Sequence, residues 1–169
     1  GFHNKVWQWE ELPDGIRFSL YSPDGEGGFP GNIRVITDYR FNEDNELSVR
    51  HYAETDCATY TNMTNHAYFN LCGKGKKITE HRLHIPADRI LDTTPAFIPT
   101  GKRMNVKNTP FDFTSLKPIG TDLYADHEQL LWNKGYNHCY ILKDEISVEM
   151  LEAASLYEPV TGRNMTVMT

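Results

Sequence analysis

A chain of 169 residues is long enough for one domain with a sizeable core and short for two. Its 17 Lys and Arg against 23 Asp and Glu leave a net charge of -6, which argues against a phosphate-neutralising surface and removes nucleic acid as an expected partner. With 39% hydrophobic and 24% charged residues the composition is that of a folded chain, and the absence of about 18 consecutive apolar residues excludes a membrane-spanning helix.

In chain order, the opening residues 1–10 lack the basic-then-apolar pattern of a signal peptide. A strand is predicted from Ile16 to Tyr21. Ser22 to Gly31 holds four Gly and two Pro in ten residues and reads as a loop, since such a stretch holds no ladder. From Ile33 to Phe41 the positions Ile33, Val35, Thr37, Tyr39 and Phe41 alternate with polar neighbours, the pattern of a half-buried strand. Asn42 to Asn45 then breaks the pattern, and Leu47, Val49, His51 and Ala53 resume it, predicting an antiparallel hairpin. Further strands are predicted at Thr64 to Leu71, Arg82 to Ile90, Tyr140 to Leu142, Ile146 to Leu151 and Asn164 to Met168. The one helical candidate runs from Asp122 to Trp132, where Leu123, Leu130 and Leu131 share a stripe. Short strands with Gly and Pro punctuation, and no repeat or linker, predict a single all-β unit over residues 1–169, an antiparallel sandwich or barrel.

The segment Thr64-Asn65-His66-Ala67-Tyr68-Phe69-Asn70-Leu71 is the most informative. As a strand it would set His66, Tyr68 and Asn70 on one face and Ala67, Phe69 and Leu71 on the other. An imidazole, a phenol and an amide on one side suit a hydroxyl-rich ligand such as a sugar. A lone histidine more often satisfies a core hydrogen bond, and on the pattern alone both readings stand.

That run resembles the TNHxYFNL signature of the aldose 1-epimerases, or galactose mutarotases. Ser22 to Gly31 is similar to the family's SPDGEEGYPG loop, Ile98-Pro99-Thr100-Gly101 to its IPTG element and Phe111-Asp112-Phe113 to its FDF element. Gly1 to Trp7 resembles the stretch after the family's HGG motif, and Gly135-Tyr136-Asn137-His138 its GYDH motif. The resemblance implies a large antiparallel β-sandwich, the mutarotase-like supersandwich, that interconverts the α and β anomers of free hexoses, galactose and glucose. It makes His66 the proton donor, sets Tyr68 along the sugar and Asn137 against its hydroxyls, and implies no metal or nucleotide cofactor. Positioned proton transfers of this kind accelerate reactions about a hundred- to ten-thousand-fold.

The chain also departs from the family pattern. Family members are about twice as long, so these residues are expected to be the central part of one such domain, completed by the rest of the same polypeptide or by a second chain. The family's catalytic base is a Glu near the C-terminus, and no residue here matches it. Asn137 replaces an Asp, exchanging a charged acceptor for an amide. Gly27 and Phe29 replace the loop's second Glu and its Tyr. Those two replacements read as tolerated variation, whereas Asn137 and the absent base keep a non-catalytic sugar-binding protein on the same fold as the alternative, with the phosphorylated-hexose branch third.

Other candidates carry less. His81 and His84 at i and i+3 point to opposite faces of a strand and do not converge on a metal. Asp126-His127-Glu128 is expected on a solvated helix face, and Trp7, Trp9 and Trp132 in the core rather than against sugar. Cys57, Cys72 and Cys139, an odd number without a CxxC pair, are expected as buried small hydrophobes in a reducing compartment, the cytoplasm. The sequons at Asn62 and Asn164 matter only for a secreted protein.

Overall fold

Antiparallel pairing builds every sheet of the computed structural model, which describes residues 1–73, 75–143 and 148–169. The all-β expectation therefore holds. The chain divides into two compact units, Gly1–Ala67 and Tyr68–Thr169.

The first unit is a four-stranded meander, β1 (Gln8–Leu12), β2 (Gly15–Ser22), β3 (Ile33–Phe41) and β4 (Leu47–Thr55), in that order. Strand β1 was not foreseen, because its residues Gln8-Trp9-Glu10-Glu11-Leu12 show no clean alternation and are almost all exposed. The predicted hairpin forms with Phe41 opposite Leu47, and its turn is tied by the Asn42 carboxamide oxygen, which accepts from Asp44 and Glu46 N–H at 3.0 and 2.9 Å. Alternation also decides burial: Ile33, Val35 and Thr37 are buried along β3. On the opposite face Asp38 is 3% exposed and accepts a bidentate pair from Arg17 on the facing position of β2, at 2.6 and 2.8 Å. The Arg17 guanidinium holds the Asp38 carboxyl below the usual carboxylate range.

Gly15 opens β2 where no side chain fits, since a Cβ there would lie 2.0 Å from the Tyr39 carbonyl oxygen. The Gly- and Pro-rich stretch is the predicted loop, and its shape is held by carboxylates and amides. Asp24 accepts from the Gly31 N–H at 2.6 Å, and Asp56 accepts from both the backbone and the side chain of Asn32 at 2.8 and 2.6 Å. Gly31 has φ +83° and its missing Cβ would meet the Cys57 Cβ at 2.7 Å, so the position requires glycine twice over.

The second unit carries two sheets. One orders β11 (Asn164–Met168), β10 (Glu152–Tyr157), β5 (Arg82–His84) and β8 (Lys117–Pro118), and the other orders β7 (Pro99–Asn105), β6 (Arg89–Thr93) and β9 (Tyr140–Ile141). The single strand expected from Arg82 to Ile90 is two strands in different sheets. Pro86 lies between them and donates no ladder bond. The strand expected at Ile146 to Leu151 lies partly outside the described residues; from 148 to 151 the chain is irregular, and β10 begins at Glu152. The helix is shorter than its stripe suggested. Helix α1 spans Glu128–Asn133 and is capped by His127, whose ring accepts from Gln129 N–H at 3.3 Å.

Ile90, Val106, Phe111 and Leu130 form the core of this unit, with Met104, Ala125, Tyr136 and Tyr140 packed on it. Phe111 is the hub, with its ring 4.1 Å from His138, 4.9 Å from His127 and 6.1 Å from Tyr136. His127 is thus a half-buried cap against the core rather than part of a solvated helix face. The tyrosines deliver their polar ends to carbonyls: Tyr136 donates to Pro110 at 3.2 Å and Tyr140 to Phe111 at 2.8 Å.

Candidate functional site

The expected strand from Thr64 to Leu71 is absent, and the segment is irregular throughout. Its amides explain why, since they bond their own backbone in competition with a ladder. Asn65 accepts from Ala67 N–H at 3.2 Å, wrapping the chain around His66. Asn70 accepts from Cys72 N–H at 3.1 Å and donates to the Lys76 carbonyl at 2.9 Å, so it shapes its own loop instead of sharing a polar face with His66.

His66 instead lines a cleft of about 790 Å³ in the first unit. One wall is a cross-strand row on the sheet face, Phe18 on β2, Thr37 on β3 and His51 on β4, joined by the pairings Phe18 to Thr37 and Thr37 to His51. Tyr39 sits two residues along β3 and closes edge-on to Phe18 at 5.9 Å. Trp7 completes the wall, its indole N–H donating to the Phe2 carbonyl at 3.0 Å. The result is an aromatic floor with a few convergent polar groups, the composition expected of a small-molecule site. Thr37 Oγ1 and His51 Nδ1 lie 2.9 Å apart, which ties that imidazole down by one nitrogen.

His51 was not singled out from the sequence, although the signal was present: it occupies the apolar phase of β4, between Val49 and Ala53, where a histidine is out of pattern. Trp7 is half-buried in the cleft wall, whereas Trp9 is 63% exposed on β1, against the expectation that both pack the core. The cysteines also depart from expectation, with Cys57 and Cys139 exposed and Cys72 half-buried, all three as free thiols.

Tyr68 and Asn137 belong to the second unit. Tyr68 is 89% exposed, an amphipathic ring presented to solvent. Asn137 follows α1 and is held at two points: its backbone N–H donates to His138 Nδ1 at 3.1 Å and its side-chain nitrogen to Asn133 Oδ1 at 3.2 Å. That leaves the amide oxygen as the acceptor. Burial pushes the His138 imidazole down to about 4, with a smaller contribution from His127, so the ring is neutral at physiological pH and its Nδ1 accepts.

Among the described residues no cluster of three or more His, Cys, Asp or Glu is arranged to hold a metal ion. His81 and His84 have separate protein partners: His81 Nε2 accepts from the Leu71 N–H at 3.1 Å, and His84 lies 3.6 Å from Glu152. No helix among the described residues is long and apolar enough to cross a membrane.

A family model described as aldose 1-epimerase matches residues 1–169. The aldose 1-epimerase of Escherichia coli (strain K12) is 39% identical over 144 residues, covering 85% of this chain and 41% of that protein. The galactose mutarotase of Pongo abelii is 36% identical over 170 residues, covering the whole of this chain and 47% of that protein. A crystal structure of the galactose 1-epimerase from Lactobacillus acidophilus NCFM superimposes with a TM-score of 0.78 at 30% identity, covering 91% of this chain and 45% of that one. The chain thus spans less than half the length of each of these relatives.

Proposed function

Since the chain belongs to the aldose 1-epimerase family, we propose that it is the central part of a mutarotase domain that interconverts the α and β anomers of free hexoses, D-galactose and D-glucose. His66 is the general acid. A base removes the proton from the anomeric hydroxyl while His66 protonates the ring oxygen, and the C1–O5 bond breaks to give the open-chain aldehyde. Rotation about C1–C2 presents the other carbonyl face. Reclosure returns the proton from O5 to His66 and reprotonates O1 from the base, so no atom is gained or lost.

The observation that carries this reading is the cleft itself, which His66 lines together with an aromatic floor and a tethered imidazole. Aromatic faces suit the apolar face of a pyranose, and the polar groups suit its hydroxyls. Tyr68 packs along the sugar and Asn137 accepts from a hydroxyl through its amide oxygen. The carboxylate base, a Glu in the family pattern, comes from outside these 169 residues, supplied by the rest of the polypeptide or by a completing chain. No cofactor, nucleic acid or membrane enters the reaction. Free thiols at Cys57, Cys72 and Cys139 fit a reducing compartment, and the cytoplasm is the proposed location.

Polarimetry of freshly dissolved α-D-galactose and α-D-glucose, with the intact protein and its His66→Ala variant side by side, tests the proposal. The variant is expected to lose about a hundredfold or more in kcat while its sugar affinity changes far less. Sugar binding without any acceleration by the parent protein would instead favour a non-catalytic binding role.

A further inference from the structure

His51 is an imidazole in the cleft floor to which the proposed reaction gives no task. It pairs directly with Thr37, which pairs with Phe18, and paired residues of neighbouring strands share a face of the sheet. The adjoining pairs on that face are Ile16, Tyr39 and Val49 to one side and Leu20, Val35 and Ala53 to the other. Arg17, Arg34, Asp38, Arg40, Arg50 and Glu54 occupy the alternate positions and so the opposite face. Among the described residues of β2, β3 and β4, His51 and the Tyr39 phenol are therefore the titratable groups of an otherwise uncharged face.

Two accounts of such a histidine differ in what they ask of its second nitrogen. Thr37 is 5% exposed, and its hydroxyl lies 2.9 Å from Nδ1, which fixes the ring and engages one nitrogen. In a core residue the ring would be enclosed and Nε2 would need its own buried partner. His51 is instead half-buried in the wall of the cleft that His66 also lines, and no carboxylate stands among the described residues of that wall. A sugar hydroxyl suits Nε2 in either tautomer. If Thr37 donates to Nδ1, Nε2 carries the proton and donates; if Nδ1 donates to Thr37, Nε2 accepts, and a hydroxyl serves both. Phe18 and Tyr39, which line the same cleft, offer aromatic surface to the apolar face of the same ligand.

We propose that His51 is a further sugar-binding residue of this cleft, held by Thr37 through Nδ1 and taking one hydroxyl of the hexose through Nε2. This rests on the mutarotase reading. Such a bond holds the sugar alike before and during ring opening, so its loss removes uniform binding and should raise KM with kcat changed much less. Thr37 is a positioning residue, because a ring fixed before the ligand arrives loses less freedom on binding.

In the intact protein, His51→Phe keeps a planar ring and removes both nitrogens, whereas His51→Gln keeps a donor and an acceptor. KM for galactose is expected to rise about tenfold in His51→Phe, and His51→Gln should recover most of the loss. Combining Thr37→Val with His51→Phe makes both partners apolar, so the unfolding midpoint should match or exceed that of the parent while KM stays raised. Should His51→Phe alone fail to fold, the combined variant takes its place. Galactose analogues that each lack one hydroxyl other than the anomeric one identify the contact. The analogue missing the hydroxyl held by His51 should bind the parent about tenfold more weakly and the His51→Phe protein no more weakly than galactose does. A parental KM in His51→Phe, a KM rise that only follows a fallen unfolding midpoint, or equal losses for parent and variant with every analogue would overturn the assignment. A parent that binds galactose without accelerating mutarotation refutes the mutarotase reading instead, and dissociation constants then replace KM in the same comparison. A parent that binds no galactose overturns both.

Discussion

Replacing Phe111 by leucine probes how the core of the second unit governs the residue beside Asn137. Phe111 is completely buried, and the rings of His138, His127 and Tyr136 close on it at 4.1, 4.9 and 6.1 Å. Leucine keeps much of the apolar volume but loses all three ring contacts, each worth about 0.5–1.5 kcal/mol beyond area burial. Contacts sharing one ring are not additive, so a net loss of about 2 kcal/mol is expected, against about 3–5 kcal/mol for alanine. The second consequence is electrostatic. Burial holds the His138 imidazole at about 4, and water admitted by the smaller side chain should return it toward its ordinary 6.5. At pH 6 the parent ring would be protonated in about 1% of molecules and a fully hydrated one in about three quarters. Protonation turns Nδ1 from acceptor to donor and breaks the bond from the Asn137 N–H. Titration of the histidine ring protons by NMR reads the shift, and urea unfolding reads the stability. A parental His138 that titrates near 6.5, or a Phe111→Leu protein in which it stays at about 4, would refute the burial argument.

Two further outcomes are expected. Gly15→Ala places a Cβ 2.0 Å from the Tyr39 carbonyl oxygen and 2.9 Å from Arg40 Cα, backbone atoms that cannot swing aside, so the β2–β3 pairing should loosen at a cost of about 1–3 kcal/mol; hydrogen exchange of β3 amides would register it. The Thr161 hydroxyl and the turn N–H groups hold the Glu158 carboxyl down at about 2, below its unfolded 4.5. Between those values the unfolded chain binds more protons, so the stability is complete above pH 4.5 and disappears as pH falls toward 2. Glu158→Gln should flatten that acid limb in unfolding midpoints collected from pH 5 to pH 2.

Much of the first unit was readable as a linear pattern. The period of two in Ile33 to Phe41 and Leu47 to Ala53, separated by a turn-forming Asn, specifies both the hairpin and the face that becomes the cleft floor. The motif around His66 takes a form other than the expected strand. Its residues read as alternating, whereas Asn65 and Asn70 spend their side chains on local turns. Period alone does not distinguish a strand from a loop whose amides bond the backbone. The cysteines and Trp9 failed for a related reason, because hydrophobic character constrains what may be buried without dictating that it is.

What the sequence by itself determined is therefore the all-β class, the β3–β4 hairpin and the family, each carried by local periodicity or by ordered motifs. Only the tertiary structure decided that Thr37 tethers His51 in the same cleft as His66, that Phe111 buries His138 behind Asn137, and that His81 and Arg163 meet at one peptide. Those groups lie between 10 and 92 residues apart in sequence where the hydrogen bonds join them. Such encounters follow from strand order and loop closure, which no local period encodes.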